Sequence, residues 1–306
     1  MIQPRRSFAS FLLRASVLAP LGGLLSSNTA GAQGLPALAG LDRRAQLRRA
    51  LEAIGASNQR ARLAVSRTLE RLDDLAVDFS AGRLILVNIA AAELIAFEGG
   101  REILRSRVVV GASRTRTPQL ATFVTSVRCN PPWYVPLSIE PELRATGISG
   151  FRVVNGRLVQ PPGPANPLGP IRIGLLNSDG IFLHGTNSPG LFANQNRAVS
   201  HGCVRVARVH ELAAWLLGMA PAAIRTALAT GRTLELLPPQ EVQVALAYLT
   251  AWPDSSGRLV SYADPYGLDA PGSRRAPYRR VLRPAPEMPA EAQAPEALPV
   301  SGDDPL

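Results

Sequence analysis

The stretch AVSHGCVRVA, positions 198 to 207, sets a serine, a histidine, a glycine and a cysteine side by side, in a 306-residue chain with two cysteines and three histidines. A cysteine attacks as the thiolate, and a thiol of ordinary pKa, about 8.5, needs a neighbouring base or positive charge to supply one near neutral pH. Two imidazoles are candidates for Cys203. His201, two residues away, points the same way along an extended chain, but side chains at that spacing diverge from a direct hydrogen-bond line. His184, in IFLHGTN at the end of a predicted strand, arrives from a separate element and is the better candidate base. Gly202 lets the backbone pack tightly around the nucleophile, and its N–H with that of Cys203 forms a candidate oxyanion site. The same three side chains, His184, His201 and Cys203, are also a conceivable zinc set, although no HExxH or carboxylate-bearing metal motif accompanies them.

The elements that must position these residues are mostly strands. GRLILVNIAAAELIAFEGG and REILRSRVVVGAS are short β-branched runs separated by turn residues, which predicts antiparallel strands; LATFVTSVR, IRIGLLN, GIFLHGT, TLELLP and VQVALAYLTAW add more. VARVHELAAWLLG carries Val209, Leu212, Ala213, Leu216 and Leu217 on one helical face and stops at Gly218, while His210 falls on its exposed side. Upstream, residues 33–76 repeat leucine at three-to-four spacing and read as one or two helices. Residues 140–169 contain QPPGPANPLGP, too rich in Pro and Gly for regular structure and long enough for a loop or lid. From 270 to 306 the chain is Pro/Ala-rich, with an arginine block before an acidic one, and is expected to be disordered.

Composition narrows the function. All 33 basic residues are arginine, so a Walker A phosphate loop, which needs its lysine, is excluded. The net charge of +10 is spread along the chain with no zinc-finger or RNA-stacking motif, which argues against nucleic acid. Arg5 and Arg6 precede an apolar run, and Ala30 and Ala32 frame an A-x-A site before Gln33, so residues 1–32 read as an export signal; its R-R-x-F order resembles a twin-arginine signal, with Pro4 and Ala9 departing from the usual flanking residues. Its apolar stretch is about a dozen residues, short of the ~20 of a membrane span; an uncleaved anchor is the alternative. Export places both cysteines in an oxidising compartment, where a Cys129–Cys203 disulfide would be the bland reading and a small buried Cys129 the favoured one.

These residues resemble a known family. His184 and Gly185, a gap of fourteen residues, then Ser200, His201, Gly202, Cys203, Val204 and Arg205 are similar to the motif of the L,D-transpeptidases (YkuD-type) that cross-link bacterial peptidoglycan. Ordered blocks from VNIAAAELIAFEGG through CNPPWYVPLSI to AYLTAWPDSSGRLVSYADPYGLD look like the catalytic domain of the larger murein enzymes, over residues 77–269. The resemblance implies a mainly β (α+β) sandwich with a helix after the cysteine. It implies Cys203 as acyl-accepting nucleophile and His184 as its base. His201, Gly202, Ser200, Arg205 and Gly185 would be supporting residues, with Arg205 pairing with a substrate carboxylate. Trp133, Tyr134 and Phe182 would line the donor groove, Phe182 standing where many relatives carry an aromatic hydroxyl; Trp133 as plain core is the rival reading. The implied reaction takes an acyl group from a tetrapeptide stem, releases D-Ala, and passes it to a stem amine as a 3→3 cross-link in the periplasm. No metal or cofactor is expected, and a carbapenem adduct at Cys203 is. The rival functions are a murein-binding protein without turnover, and an L,D-carboxypeptidase or zinc hydrolase.

Overall fold

A computed structural model describes residues 43–283 apart from 81, 147–149, 255 and 271. The chain divides into two units, 1–35 and 36–306, and the first lies wholly outside the described residues, as do the expected export signal and residues 284–306.

Among the described residues two helices come first, α1 (Arg43–Ala53) and α2 (Gln59–Asp74). The Asn58 side chain accepts the Ala61 N–H and starts α2. The strands that follow are β1 (Arg83–Asn88), β2 (Glu93–Glu98), β3 (Arg101–Gly111) and β4 (Gln119–Cys129). Next come β5 (Trp133–Tyr134), α3 (Glu140–Thr146), β6 (Arg152–Val154) and β7 (Arg157–Gln160). β8 (Ile171–Leu175), β9 (Leu183–His184), β10 (Ala198–Ser200) and β11 (Val204–Val206) build the central part. Helices α4 (Val209–Leu217) and α5 (Pro221–Ala229), then β12 (Leu234–Leu236), β13 (Gln243–Ala247), β14 (Ala251–Pro253), β15 (Leu259–Ser261) and β16 (Tyr278–Arg280), complete the order.

The main sheet runs β3-β11-β9-β8-β4-β13-β1-β2 and returns to β3, so eight strands close into a flattened ring. The long strands β3 and β4 turn its two corners. β4 pairs with β13 through Leu120–Phe123 and with β8 from Val124 onward, and the register shifts beyond Val124 as the strand leaves one layer for the other. Period-two alternation explains the layering. Ile85 and Val87 of β1 enter the core between the layers with Val204, Val206 and the apolar face of α4, whereas Leu84 and Leu86 face Leu47, Val65 and Leu72 of the two N-terminal helices. A strand buried on both faces reads as the unbroken apolar run LILV.

Two sequence expectations need correction and others hold. The runs read as antiparallel, β1 to β3, are so, with β1–β2 and β2–β3 antiparallel, while β13–β1, β11–β9, β10–β3 and β16–β4 are parallel. The 140–169 stretch is not without regular structure, since α3 and the three-stranded β5-β7-β6 sheet lie in or border it. Asn155 and Gly156, both at positive φ, make the tight turn that joins β6 to β7. The stretch from 270 to 283 is not without structure, because Tyr278–Arg280 pairs with the edge of β4 and Arg283 forms an ion pair with Glu241. No disulfide joins the cysteines; Cys129 is a fully buried free thiol on β4.

One buried cation ties the helices to the sheet. Arg71 of α2, 4% exposed, donates to the Tyr248 and Leu268 carbonyls and to the Asp269 carboxylate at 2.6 Å, with its guanidinium 5.1 Å from the Tyr248 ring centre. Truncation would leave the largely enclosed Asp269 carboxylate without its counter-charge. Arg71→Ala is expected to lower stability by about 3–5 kcal/mol, seen as a lower urea midpoint with unchanged slope.

Candidate active site

The short strand β9 decides the site. Leu183 pairs with Ile173 on one side and Val204 on the other, and His184 pairs with Arg172 and Arg205. Leu183 and Val204 are fully buried in the core, so alternation sends Phe182, His184, Cys203 and Arg205 to the opposite face. All four line a cavity of about 390 Å³, together with Trp133, Ser200 and His201. Tyr134 does not share it. Trp133 takes the cavity side of β5, whereas Tyr134 is half exposed, which corrects its expected place in the groove. Trp133 is partly buried against Phe151, with ring centres 6.1 Å apart.

Ser200 holds the HGC turn from within. Its hydroxyl donates to the Cys203 carbonyl at 2.7 Å and accepts the Gly202 N–H at 3.1 Å. The Gly202 N–H is thereby occupied, which corrects its expected part in an oxyanion site. His201 is exposed at the rim. Gly185 is a close-approach glycine, where a Cβ would stand 3.0 Å from Pro170 and 3.3 Å from the Leu168 carbonyl.

The electrostatics centre on His184. The ring is nearly buried, and its ordinary pKa of 6.5 is pushed down to about 3 by burial first, then by the Arg205 charge, with a smaller contribution from Arg172. Backbone groups of Leu168 and Gly185 act the other way and favour a proton on the ring. Nδ1 is buried and has no hydrogen-bond partner. The imidazole is therefore neutral, with one unpartnered ring nitrogen, on the strand next to Cys203. The Cys203 thiol is half-buried and donates to the Gly180 carbonyl at 3.5 Å. Burial raises its pKa, while the Phe182 backbone, Arg172 and Arg205 favour the thiolate.

Sequence reasoning missed Arg172. Its guanidinium lies 4.5 Å from the Phe182 ring centre, and that ring is 5.6 Å from His184. Burial depresses the pKa of Arg172 and of Arg205. Arg205 Nε has no hydrogen-bond partner, and the carboxylate that acts on Arg172, Glu235, is paired with Arg128. The row Arg172–His184–Arg205 could have been found only by knowing the register. Among the described residues no three His, Cys, Asp or Glu side chains are gathered to hold a metal ion, so the zinc reading lacks a ligand set.

A family profile described as the L,D-transpeptidase catalytic domain matches residues 82–236, which contain every residue of this site. The chain belongs to the L,D-transpeptidase family. A Haemophilus influenzae protein whose L,D-transpeptidase assignment is itself provisional is 32% identical over 224 residues, covering 63% of this chain and 45% of its own length. The chain thus spans about half of that relative. An L,D-transpeptidase from Mycobacterium smegmatis is similar at 16% identity over 54% of this chain and 58% of that one, TM-score 0.33. L,D-transpeptidase 3 from Mycobacterium tuberculosis, solved with a faropenem-derived adduct, is similar at 13% identity over 53% and 60%, TM-score 0.30. At those scores neither carries an argument, and the assignment rests on the family profile.

For an L,D-transpeptidase, this site has a resting thiol beside a neutral imidazole rather than a preformed thiolate–imidazolium pair. The expected pH dependence follows. Alkylation of Cys203 by iodoacetamide rises toward alkaline pH with the thiol and shows no imidazole inflection near 6.5. Folding stability follows the same ring. Between about 3 and 6.5 the unfolded chain takes a proton that folded His184 refuses, so stability falls as pH is lowered through that window. His184→Gln is expected to flatten that acid limb in urea titrations at several pH values.

Proposed function

We propose that this chain is a peptidoglycan L,D-transpeptidase that forms 3→3 cross-links by cysteine acyl transfer. The observation that carries the reading is Cys203 opening into the same cavity as a neutral His184 whose Nδ1 has no hydrogen-bond partner, with the Arg205 guanidinium alongside. His184 takes the thiol proton, and the Cys203 sulfur attacks the carbonyl of the third residue of a tetrapeptide stem. The tetrahedral intermediate collapses, and D-Ala leaves with the proton from the imidazolium. The amine of a neighbouring stem then attacks the thioester, gives its proton to His184, and frees the thiol. Arg205 and Arg172 supply positive charge for an acidic stem, since carboxylates are the natural partners of a guanidinium fork. No metal or cofactor takes part. Trp133 and Phe182 form the walls against which the stem lies.

The same cysteine is the proposed site of a carbapenem adduct. The cross-linking reaction belongs beyond the cytoplasmic membrane, and the Arg5–Arg6 signal with its A-x-A site supports export to the periplasm.

The test compares sacculi from cells with and without the protein, and with Cys203→Ala. Wild type is expected to add 3→3 dimers and to release D-Ala from purified tetrapeptide, while Cys203→Ala does neither. His184→Gln is expected to lower the acylation rate about 10²- to 10⁴-fold, the usual weight of a general base, read by intact-mass spectrometry. An unchanged dimer profile with no Cys203 adduct would leave a murein-binding protein; D-Ala release without dimers would leave a carboxypeptidase.

A further inference from the structure

Thr117 does not line the cavity, yet its side chain is bonded into the HGC turn. Its Oγ1 accepts the Gly111 N–H at 2.8 Å and donates to the Gly202 carbonyl at 2.7 Å, both buried. Its own N–H donates to the Tyr266 hydroxyl at 3.2 Å, and that hydroxyl donates to the Gly111 carbonyl at 2.6 Å. The approach is close enough to need glycine at 111, where a Cβ would fall 2.1 Å from the Thr115 carbonyl oxygen and 2.5 Å from the Thr117 nitrogen. One turn away, Thr115 Oγ1 and the Ala112 N–H both donate to the Ser200 carbonyl, at 2.8 and 2.9 Å.

Peptide planarity turns these bonds into a statement about Cys203. In a trans peptide the carbonyl and the next N–H point in opposite directions. Holding the Gly202 carbonyl toward Thr117 therefore turns the Cys203 N–H away from Thr117. Among the described residues no acceptor meets that N–H, whereas the Gly202 N–H is taken by Ser200. The two bonds made by Thr117 Oγ1 use its donor and an acceptor lone pair, so the hydroxyl has little freedom to turn elsewhere.

We propose that Thr117 is a positioning residue that aims the Cys203 N–H at the oxygen of the carbonyl under attack, making it the oxyanion donor of the site. Tyr266 holds Thr117 in place from the far side. The inference rests on the cysteine acyl-transfer reading above and goes beyond it by naming the residue that orients the Cys203 donor.

The test sets two reagents against each other on the full chain. With p-nitrophenyl acetate the sulfur bonds to the carbonyl carbon, charge builds on the oxygen, and p-nitrophenolate leaves as the carbonyl reforms. With iodoacetamide the sulfur displaces iodide from a saturated carbon, and no oxyanion forms. Loss of an oxyanion donor costs about 10²- to 10³-fold. Misaiming one by Thr117→Val, which keeps the shape and removes the hydroxyl, is expected to slow acylation by roughly tenfold to a hundredfold and to change alkylation by less than about threefold. Thr117→Ser is expected to restore acylation. Tyr266→Phe is expected to slow acylation less, by about threefold to tenfold, again sparing alkylation, and it decides the matter if Thr117→Val does not fold. Equal losses in both reactions, or undiminished acylation, would overturn the proposal. A wild-type protein alkylated at Cys203 but never acylated would instead overturn the acyl-transfer reading, so the two failures are told apart.

Discussion

The pairing of a two-residue strand with both its neighbours is the constraint on which the site depends. Leu183 and His184 are held between β8 and β11, and the single buried leucine fixes the phase of the row. Because the side-chain period of a strand is two, a slip of one residue would drive His184 into the core and expose Leu183. The buried apolar contacts of Leu183 and Val204 thus position an imidazole and a thiol that make no hydrogen bond to each other at rest.

That arrangement has an electrostatic consequence. Flanking one buried imidazole with two arginines makes its protonated form expensive twice over, by desolvation and by repulsion. The same arginines favour a thiolate at Cys203, although burial outweighs them. Resting neutrality is then the expected outcome for both groups. The proton moves only when attack begins, when developing charge on sulfur can be met by Arg172, Arg205 and the Phe182 backbone. A site of this kind protects its thiol from adventitious electrophiles and depends on substrate to complete it. Arg205 Nε and His184 Nδ1, both buried without partners, are the unsatisfied groups such a site would carry.

The sequence made the chemistry more legible than its surroundings. HGC, the strand-borne histidine and the helix face of Val209, Leu212, Ala213, Leu216 and Leu217 could be read because each depends on short-range spacing. All five of those helix residues lie in the core, and Gly218 ends the helix in the left-handed region as a stop residue should. Arg172 was invisible for the opposite reason. It lies twelve residues from His184 in a different strand, and only the register brings it opposite. The Gly202 N–H was misjudged because the Ser200 side chain, two residues back, reaches it first. Tyr134 was misplaced because a two-residue strand puts adjacent aromatics on opposite faces, so Trp133 and Tyr134 could not both line one groove.

The Pro-rich segments misled for a shared physical reason. Proline and glycine density argues against long elements, but it does not prevent short ones whose hydrogen bonds come from a neighbour. β6 and β7 need only the Asn155–Gly156 turn and the β5 edge. β16 needs no partner beyond β4, and Arg279 finds acceptors: it donates to the Asn177 carbonyl at 2.6 Å and pairs with Asp179 at 3.1 Å. Those two residues belong to the β8–β9 turn, whose next residue, Gly180, accepts the Cys203 thiol. A stretch that composition assigns to a tail therefore braces the turn behind the nucleophile. Composition reports how much apolar surface a segment can bury by itself, and β16 is ordered by surface and charge that lie elsewhere in the chain.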